Sequence, residues 1–147
     1  MKNIAIIVCV ILGFSLNAQV DGVGINTTDP QSTLDINGNL SLKHIALPEN
    51  GTDTGLQLID VAVYISVNPQ VMDQEFRLPD ATLVPGRIYI IRNINNTTTA
   101  RLTSAGGDFY KKNSTSDPRT ELFMFEGNNR TIIAFSDGVS WNTFNDF

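Results

Sequence analysis

Cysteine is nearly absent from this chain. Cys9 is the single cysteine among 147 residues, and it lies inside an apolar N-terminal run that we expect to be removed. The mature chain is therefore predicted to have no internal disulfide, no thiol nucleophile and no thiolate metal ligand. Cys9 does not fit a lipoprotein cysteine, because Val8 stands where a small residue is needed.

Histidine is equally scarce, and the common catalytic pairs are missing with it. His44 is the single histidine. It lies in the stretch LKHIALP, where a structural or solvent-facing role is favoured over a catalytic one. The sequence contains no GxSxG, HExxH or glycine-rich phosphate-binding motif, so the usual nucleophile–base pairs cannot be assembled from it. These absences predict that the protein is not an enzyme.

Scattered acidic residues leave one catalytic alternative, a carboxylate pair for glycoside hydrolysis. A turn role is favoured, because Asp in a turn accepts hydrogen bonds from nearby backbone N–H groups. The acids also do not follow the DxDxDG spacing of a calcium loop, so we predict no metal site and no cofactor. The acids concerned are Asp80, Asp108, Glu121, Glu126 and Asp137.

Positive charge is in deficit. The chain has 10 Lys and Arg against 15 Asp and Glu, which gives a net charge of −5. Loss of Lys2 with the N-terminal segment makes the mature chain one unit more negative. Such a surface repels phosphate groups, so nucleic acid and anionic membranes are poor partners.

Long hydrophobic runs are missing except at the N-terminus, where residues 1–18 have the pattern of a secretory signal peptide. Lys2 precedes the apolar run 4–12, and Ala18 supplies a small residue at the expected cleavage point. The run is shorter than the roughly 20 apolar residues of a membrane-spanning helix. We expect the mature protein to begin near Gln19, to lack a transmembrane segment and to be secreted or held at the cell surface.

Residues 19–43 are predicted to form an N-terminal β-hairpin. Polar and apolar residues alternate through Leu34–Ile36 and again at Leu40 and Leu42, as in half-buried strands. Asn37-Gly38 favours a type I′ turn between them, because both positions tolerate positive φ. Two strands alone are marginally stable in water, so the apolar face of this hairpin needs cover from the rest of the chain or from another subunit.

The remainder of the chain has a dense β pattern. Residues 44–60 are interpreted as a connector and residues 61–147 as a C-terminal β domain, in which strand signals alternate with turn signals at short spacing. The sequence thus predicts an all-β fold: a short N-terminal hairpin followed by a compact antiparallel β sandwich or prism-like domain. The predicted strands of the domain include 61–67, 75–78, 87–94, 97–103, 121–126, 130–135 and 140–144.

One group of residues has the chemistry of a carbohydrate site. Trp141, with Tyr89 or Tyr110, could stack on a sugar ring while Asp137 and Asn142 accept hydrogen bonds from its hydroxyls. The alternative is a hairpin turn with Trp141 packed in the core, and it is favoured because Trp usually buries its large surface. An exposed Trp141 would support a monomeric carbohydrate-binding protein, and a buried one would count against it.

The segment 23–39 resembles a signature that recurs in secreted proteins of Gram-negative bacteria. It reads VGINTTDP over 23–30 and LDINGN over 34–39, similar in order and spacing to VGIGTTNP…LDVNGN. In those proteins the signature stands at the head of fibre-like or adhesin-like chains, often labelled tail-fibre-like or cell-wall-anchor proteins.

The C-terminal part is similar, more loosely, to a small β domain of phage tail fibres and related bacterial surface proteins. The similarity lies in an LP-x-A segment at 78–81, a PG-x-x-Y strand at 85–89 and a closing SDG-x-x-W hairpin at 136–141. Together, the two resemblances imply a non-enzymatic structural or attachment module. They also imply a homotrimer. A glycan or another cell-surface molecule is the partner that we expect for such a module.

Overall fold

A computed structural model of the protein describes residues 22–111, 116–127 and 130–144. The predicted signal peptide at residues 1–18 lies outside the described residues. The chain divides into two compact units, with the boundary between Ser41 and Leu42. Nearly all regular elements are β-strands, which confirms the all-β prediction.

The N-terminal unit contains two short strands that pair in parallel, β1 (Val23–Ile25) and β2 (Leu34–Ile36). The predicted hairpin is therefore wrong. The backbone N–H of Asn37 donates to the carbonyl of Ile25 at 3.0 Å and extends the parallel ladder past β2. As a result, Asn37-Gly38 does not lead into a second strand of a hairpin.

The loop between β1 and β2 explains the parallel arrangement. The backbone N–H of Gln31 donates to the carboxylate of Asp35 at 2.9 Å, and that of Val23 donates to the carbonyl of Thr33 at 2.8 Å. These bonds bring the chain back to the start of β1. Polar–apolar alternation identified β2 correctly, but alternation carries no information about which segment lies beside a strand.

Among the described residues, the C-terminal unit has ten strands and one 3-10 turn at Ala81–Leu83. The strands are β3 (His44–Leu47), β4 (Gln57–Leu58), β5 (Tyr64–Val67), β6 (Gln74–Asp80), β7 (Ile88–Asn93), β8 (Ala100–Gly106), β9 (Phe109–Lys111), β10 (Glu121–Met124), β11 (Thr131–Ser136) and β12 (Trp141–Phe144).

These strands form two sheets between which the chain alternates. A four-stranded sheet has the order β10-β8-β6-β4, and a six-stranded sheet has the order β3-β5-β7-β11-β12-β9. From β3 to β8 each strand lies in the opposite sheet from its predecessor, and sequential members of one sheet are parallel. The chain therefore winds in successive circuits, each of which adds one strand to each sheet.

The winding closes with antiparallel strands. β10 pairs with β8, and β11 pairs with both β7 and β12, all antiparallel, while β9 joins β12 in parallel. The prediction of an antiparallel domain is corrected by this mixed pairing. A parallel neighbour requires a long crossover connection, and here a strand of the opposite sheet supplies it.

The predicted connector 44–60 is also corrected, because it contains β3 and β4 and forms the first circuit of the winding. Leu47 and Ile59 are buried in the core. Pro and Gly residues in this segment suggested a linker, but they mark the turn between the two strands of one circuit.

The core lies between the two sheets. Alternate side chains of the six-stranded sheet point inward, among them Ile65, Tyr89 and Ile132, and they meet Phe76 and Leu102 of the four-stranded sheet. All five are at most 1% exposed. A single cluster spans both sheets, so the remaining alternate side chains form two outer faces.

Candidate functional site

The two rings expected to stack on a sugar lie in the core. Trp141 and Tyr89 are both 0% exposed, and their ring centroids are 5.7 Å apart. The indole N–H of Trp141 donates to the carbonyl of Pro79 at 3.2 Å and to the hydroxyl of Ser104 at 3.0 Å. The hydroxyl of Tyr89 donates to the carbonyl of Asp60 at 3.2 Å.

Burial therefore removes Trp141 and Tyr89 from the predicted ligand site. Each ring is covered by core side chains, and each polar atom is hydrogen-bonded within the protein. The favoured interpretation of Trp141 as a core residue agrees with this geometry. β12 places Trp141 inward because it alternates with Asn142, which points outward.

Asp137 organises the turn that precedes β12. One carboxylate oxygen accepts from the backbone N–H groups of Val139 at 2.9 Å and Ser140 at 2.8 Å, and the other accepts from the side-chain amide of Asn142 at 2.8 Å. The N–H groups of Ser140 and Val139, followed by the amide of Asn142, hold the pKa of the Asp137 carboxyl below its ordinary value. This carboxylate has the turn role expected of it.

Tyr110 is the third aromatic residue of the predicted site, and it lies on the other side of the sheet from Trp141. β9 pairs with β12 so that Tyr110 is in register with Asn142 on the outer face, and Trp141 is in register with Phe109 on the inner face. The structure thus brings Tyr110, Asn142 and Asp137 together at one end of the outer face. It separates them from Trp141 and Tyr89.

Three of the other acids, Asp80, Glu121 and Glu126, have hydrogen-bond or ion-pair partners within the protein. Asp80 accepts from the backbone N–H of Thr82 at 2.9 Å, Glu126 accepts from the hydroxyl of Thr99 at 2.7 Å, and Glu121 forms an ion pair with Arg101 at 3.3 Å. Within the described residues, no group of three or more His, Cys, Asp or Glu side chains could hold a metal ion.

The outer face of the four-stranded sheet is charged and hydrogen-bonded. Glu75 lies at its centre, with one carboxylate oxygen 2.7 Å from Arg77 and the other 3.2 Å from Arg101. The hydroxyl of Thr103 also donates to Glu75 at 2.7 Å. The bond from Thr103, then that from Arg77, lowers the pKa of the Glu75 carboxyl. We call this surface the charged face.

The outer face of the six-stranded sheet carries two rows of mainly aliphatic and aromatic side chains, and we call it the apolar face. A further row on it, with Ser66, Arg92 and Thr131, is polar. Its side chains alternate with core residues along the strands. His44 lies at its edge, where its ring nitrogen Nε2 is 2.9 Å from the hydroxyl of Ser66 and its ring is 5.1 Å from that of Tyr64. His44 is exposed and contacts its neighbours in the sheet, in agreement with the structural or solvent-facing role favoured from the sequence.

Two surface depressions were not predicted from the sequence. One, of about 380 Å³, lies beside the stacked rings of Phe123 and Phe125 and includes Lys111 and Arg119. The F-x-F spacing at 123 and 125 was the available signal, because it places both rings on one side of a strand.

The other depression, also about 380 Å³, is lined in part by Asn50 and Asp53. The Asn50 side-chain oxygen accepts from the backbone N–H groups of Thr52 and Asp53, and the Asp53 carboxylate accepts from that of Gly55. These polar groups therefore form hydrogen bonds within their own loop and stabilise its conformation.

Comparison with known proteins identified no matching family model, no matching curated protein and no matching solved structure. In the portion of the chain that the structure covers, no helix has the length and apolar character needed to cross a membrane.

Proposed function

We propose that this protein is a secreted, non-enzymatic structural or adhesion module that assembles as a homotrimer. The proposal joins the signal-peptide pattern of residues 1–18 with the resemblance to fibre-type chains. It is also supported by the roles of the acidic and aromatic site candidates, most of which are engaged in turns, ion pairs or the core.

The exposed apolar side chains of the N-terminal unit carry the proposal. Val23, Ile25, Leu34 and Leu40 are 62%, 51%, 55% and 58% exposed. Two three-residue strands cannot cover these side chains by themselves. Hydrophobic side chains concentrated on so small a unit are typical of a surface that another protein chain covers, and further copies of the same chain would provide that cover.

The test is the solution mass of residues 20–147, measured by light scattering coupled to size exclusion over a dilution series. We expect three times the chain mass. The double variant Val23→Ser with Leu34→Ser should weaken the assembly, and it should dissociate at a higher protein concentration than the wild type. Leu83→Ser, at a position that is 78% exposed in the C-terminal unit, is the matched control. A monomeric wild type at all concentrations would overturn the trimer.

A further inference from the structure

We infer that the apolar face of the six-stranded sheet is the surface through which the C-terminal units of neighbouring copies pack together. The inference rests on the proposed homo-oligomer and identifies which face of the C-terminal unit would be covered. It follows from the continuity, charge and area of this face.

The apolar face is continuous across the sheet. The strand registers align one row across five strands, from Tyr64 to Ile90 to Ile133 to Phe144, with His44 at its margin. The neighbouring row contains Ile88 and Phe135, followed by Asn142 and Tyr110.

Aromatic rings extend the face while leaving much of it open to solvent. The rings of Phe135 and Phe144 stack with centroids 5.5 Å apart. Ile88 is 50% and Phe144 is 41% exposed, and the side chains between them are half-buried. Contiguous apolar surfaces of this kind on a secreted domain are characteristic of protein–protein contacts.

Charge indicates a second copy of this chain as the occupant. The chain has a net charge of −5, so two copies repel one another through most of their surfaces. Within the six described strands of this sheet, no residue is Asp or Glu, and the cations are Arg92 and Lys111. Acidic chains therefore repel one another least when these faces turn towards a shared axis.

The charged face provides the contrast within the same molecule. The network of Glu75 with Arg77, Arg101 and Thr103 joins charged side chains that remain partly exposed to water. Burying such a network beneath another subunit would carry a desolvation cost that burying isoleucine and phenylalanine does not. The two outer faces thus favour opposite environments.

The apolar face supplies part of the area that a specific interface requires. With strands spaced about 4.8 Å apart and residues about 3.4 Å apart, the strands of this sheet project roughly 450 Å². In a trimer with this face towards the threefold axis, each copy divides the area between two neighbours, so each pair of copies would cover about 450 Å² before the relief of the side chains is counted. Specific interfaces begin near 1,000 Å². Contacts made by the N-terminal unit would add to this.

The first experiment compares two charge insertions in residues 20–147. Ile88→Glu places a carboxylate on the apolar face, and Phe123→Glu places one on the charged face at a position that is 37% exposed. Light scattering should show one chain mass for Ile88→Glu and three for both the wild type and Phe123→Glu. Circular dichroism should show the same β spectrum for all three proteins.

A cysteine experiment avoids any loss of folding caused by the charge. Because the mature chain has no cysteine, Ile88→Cys and Phe123→Cys each provide a single labelling site. We expect maleimide to label Ile88→Cys about tenfold more slowly in the assembled protein, which corresponds to about 1.4 kcal/mol of protection. Dilution to monomer should remove the difference.

The outcomes separate this inference from the proposed function. If the wild type is trimeric, and the substitutions at position 88 change neither the mass nor the labelling rate, the proposed interface is wrong and the trimer is retained. A monomeric wild type would overturn both. If maleimide labels Ile88→Cys freely and a glycan slows that labelling, the face binds a carbohydrate, and its assignment to a second copy is overturned.

Discussion

Asn93 shows how single buried amides connect the turns of the winding. Its side-chain nitrogen donates to the carbonyls of Thr98 at 2.9 Å and Met124 at 2.8 Å, and its side-chain oxygen accepts from the backbone N–H of Asn95 at 2.9 Å. Asn93 is 0% exposed. The amide therefore satisfies three backbone groups, and its bond to the carbonyl of Met124 is buried.

Replacing Asn93 by leucine should be strongly destabilising. The volume is nearly preserved, but the three backbone groups lose their partner, and we expect a loss of about 2–4 kcal/mol in the free energy of unfolding. Urea titration at a fixed protein concentration measures the difference. Asn96→Leu, on the exposed part of the same turn, is the control, and equal effects of the two variants would contradict the assigned role of Asn93.

Glu75 gives the charged face a pH-dependent contribution to stability. Because hydrogen bonding lowers its pKa in the folded protein, the carboxylate stabilises the fold above the ordinary glutamate pKa of about 4.3. That contribution is lost as the pH falls through the lowered folded pKa.

Glu75→Gln should therefore cost about 1 kcal/mol at pH 7 and less at pH 3. Urea unfolding of the wild type and the variant at both pH values tests this. Glu49→Gln, on an exposed loop, should change the free energy of unfolding little at either pH. A difference between Glu75→Gln and wild type that grows towards pH 3 would contradict a lowered folded pKa for Glu75.

At the scale of elements, the turn from β8 to β9 requires a glycine. Gly107 has a φ of +82°, and a Cβ at this position would lie 2.7 Å from the carbonyl oxygen of Val139. Both the backbone conformation and the close approach exclude an ordinary side chain.

Gly107→Ala should lower stability by about 1–3 kcal/mol, because strain and the clash with the turn before β12 add together. Thermal unfolding followed by circular dichroism measures the change. Gly127→Ala is the control, since a Cβ there meets nothing within 4 Å. Similar melting temperatures for the two variants would show that the turn adjusts freely.

The elements themselves were more predictable than their pairing. β-branched and aromatic runs identified the positions of β5, β7 and β11, and turn signals separated them. The same alternation fits parallel and antiparallel neighbours equally well, so it could not distinguish circuits from hairpins. The predicted site residues lie on opposite faces of the sheet for a related reason. Trp141 and Asn142 are adjacent in sequence, but successive side chains of a β-strand point to opposite faces.

At the scale of the whole molecule, the apolar and charged faces give the C-terminal unit two unlike outer surfaces. This asymmetry could not be read from composition, because it depends on which strands share a sheet. Ile90 and Ile133 lie far apart in the sequence, and their pairing brings them together on one face. An assembly that buries the apolar face would leave the charged face available to solvent or to other partners.

The successive circuits of the C-terminal unit also bear on how such a protein can change in evolution. Each circuit lays one strand beside its predecessor in both sheets, so an extra circuit meets edges like those already present. A tandem duplication of residues 64–89 would add one strand to each sheet. The closing strands β9–β12 would then pair with an edge equivalent to the present one. A protein of this architecture could therefore become longer or shorter by whole circuits while the surfaces at its two ends stay the same.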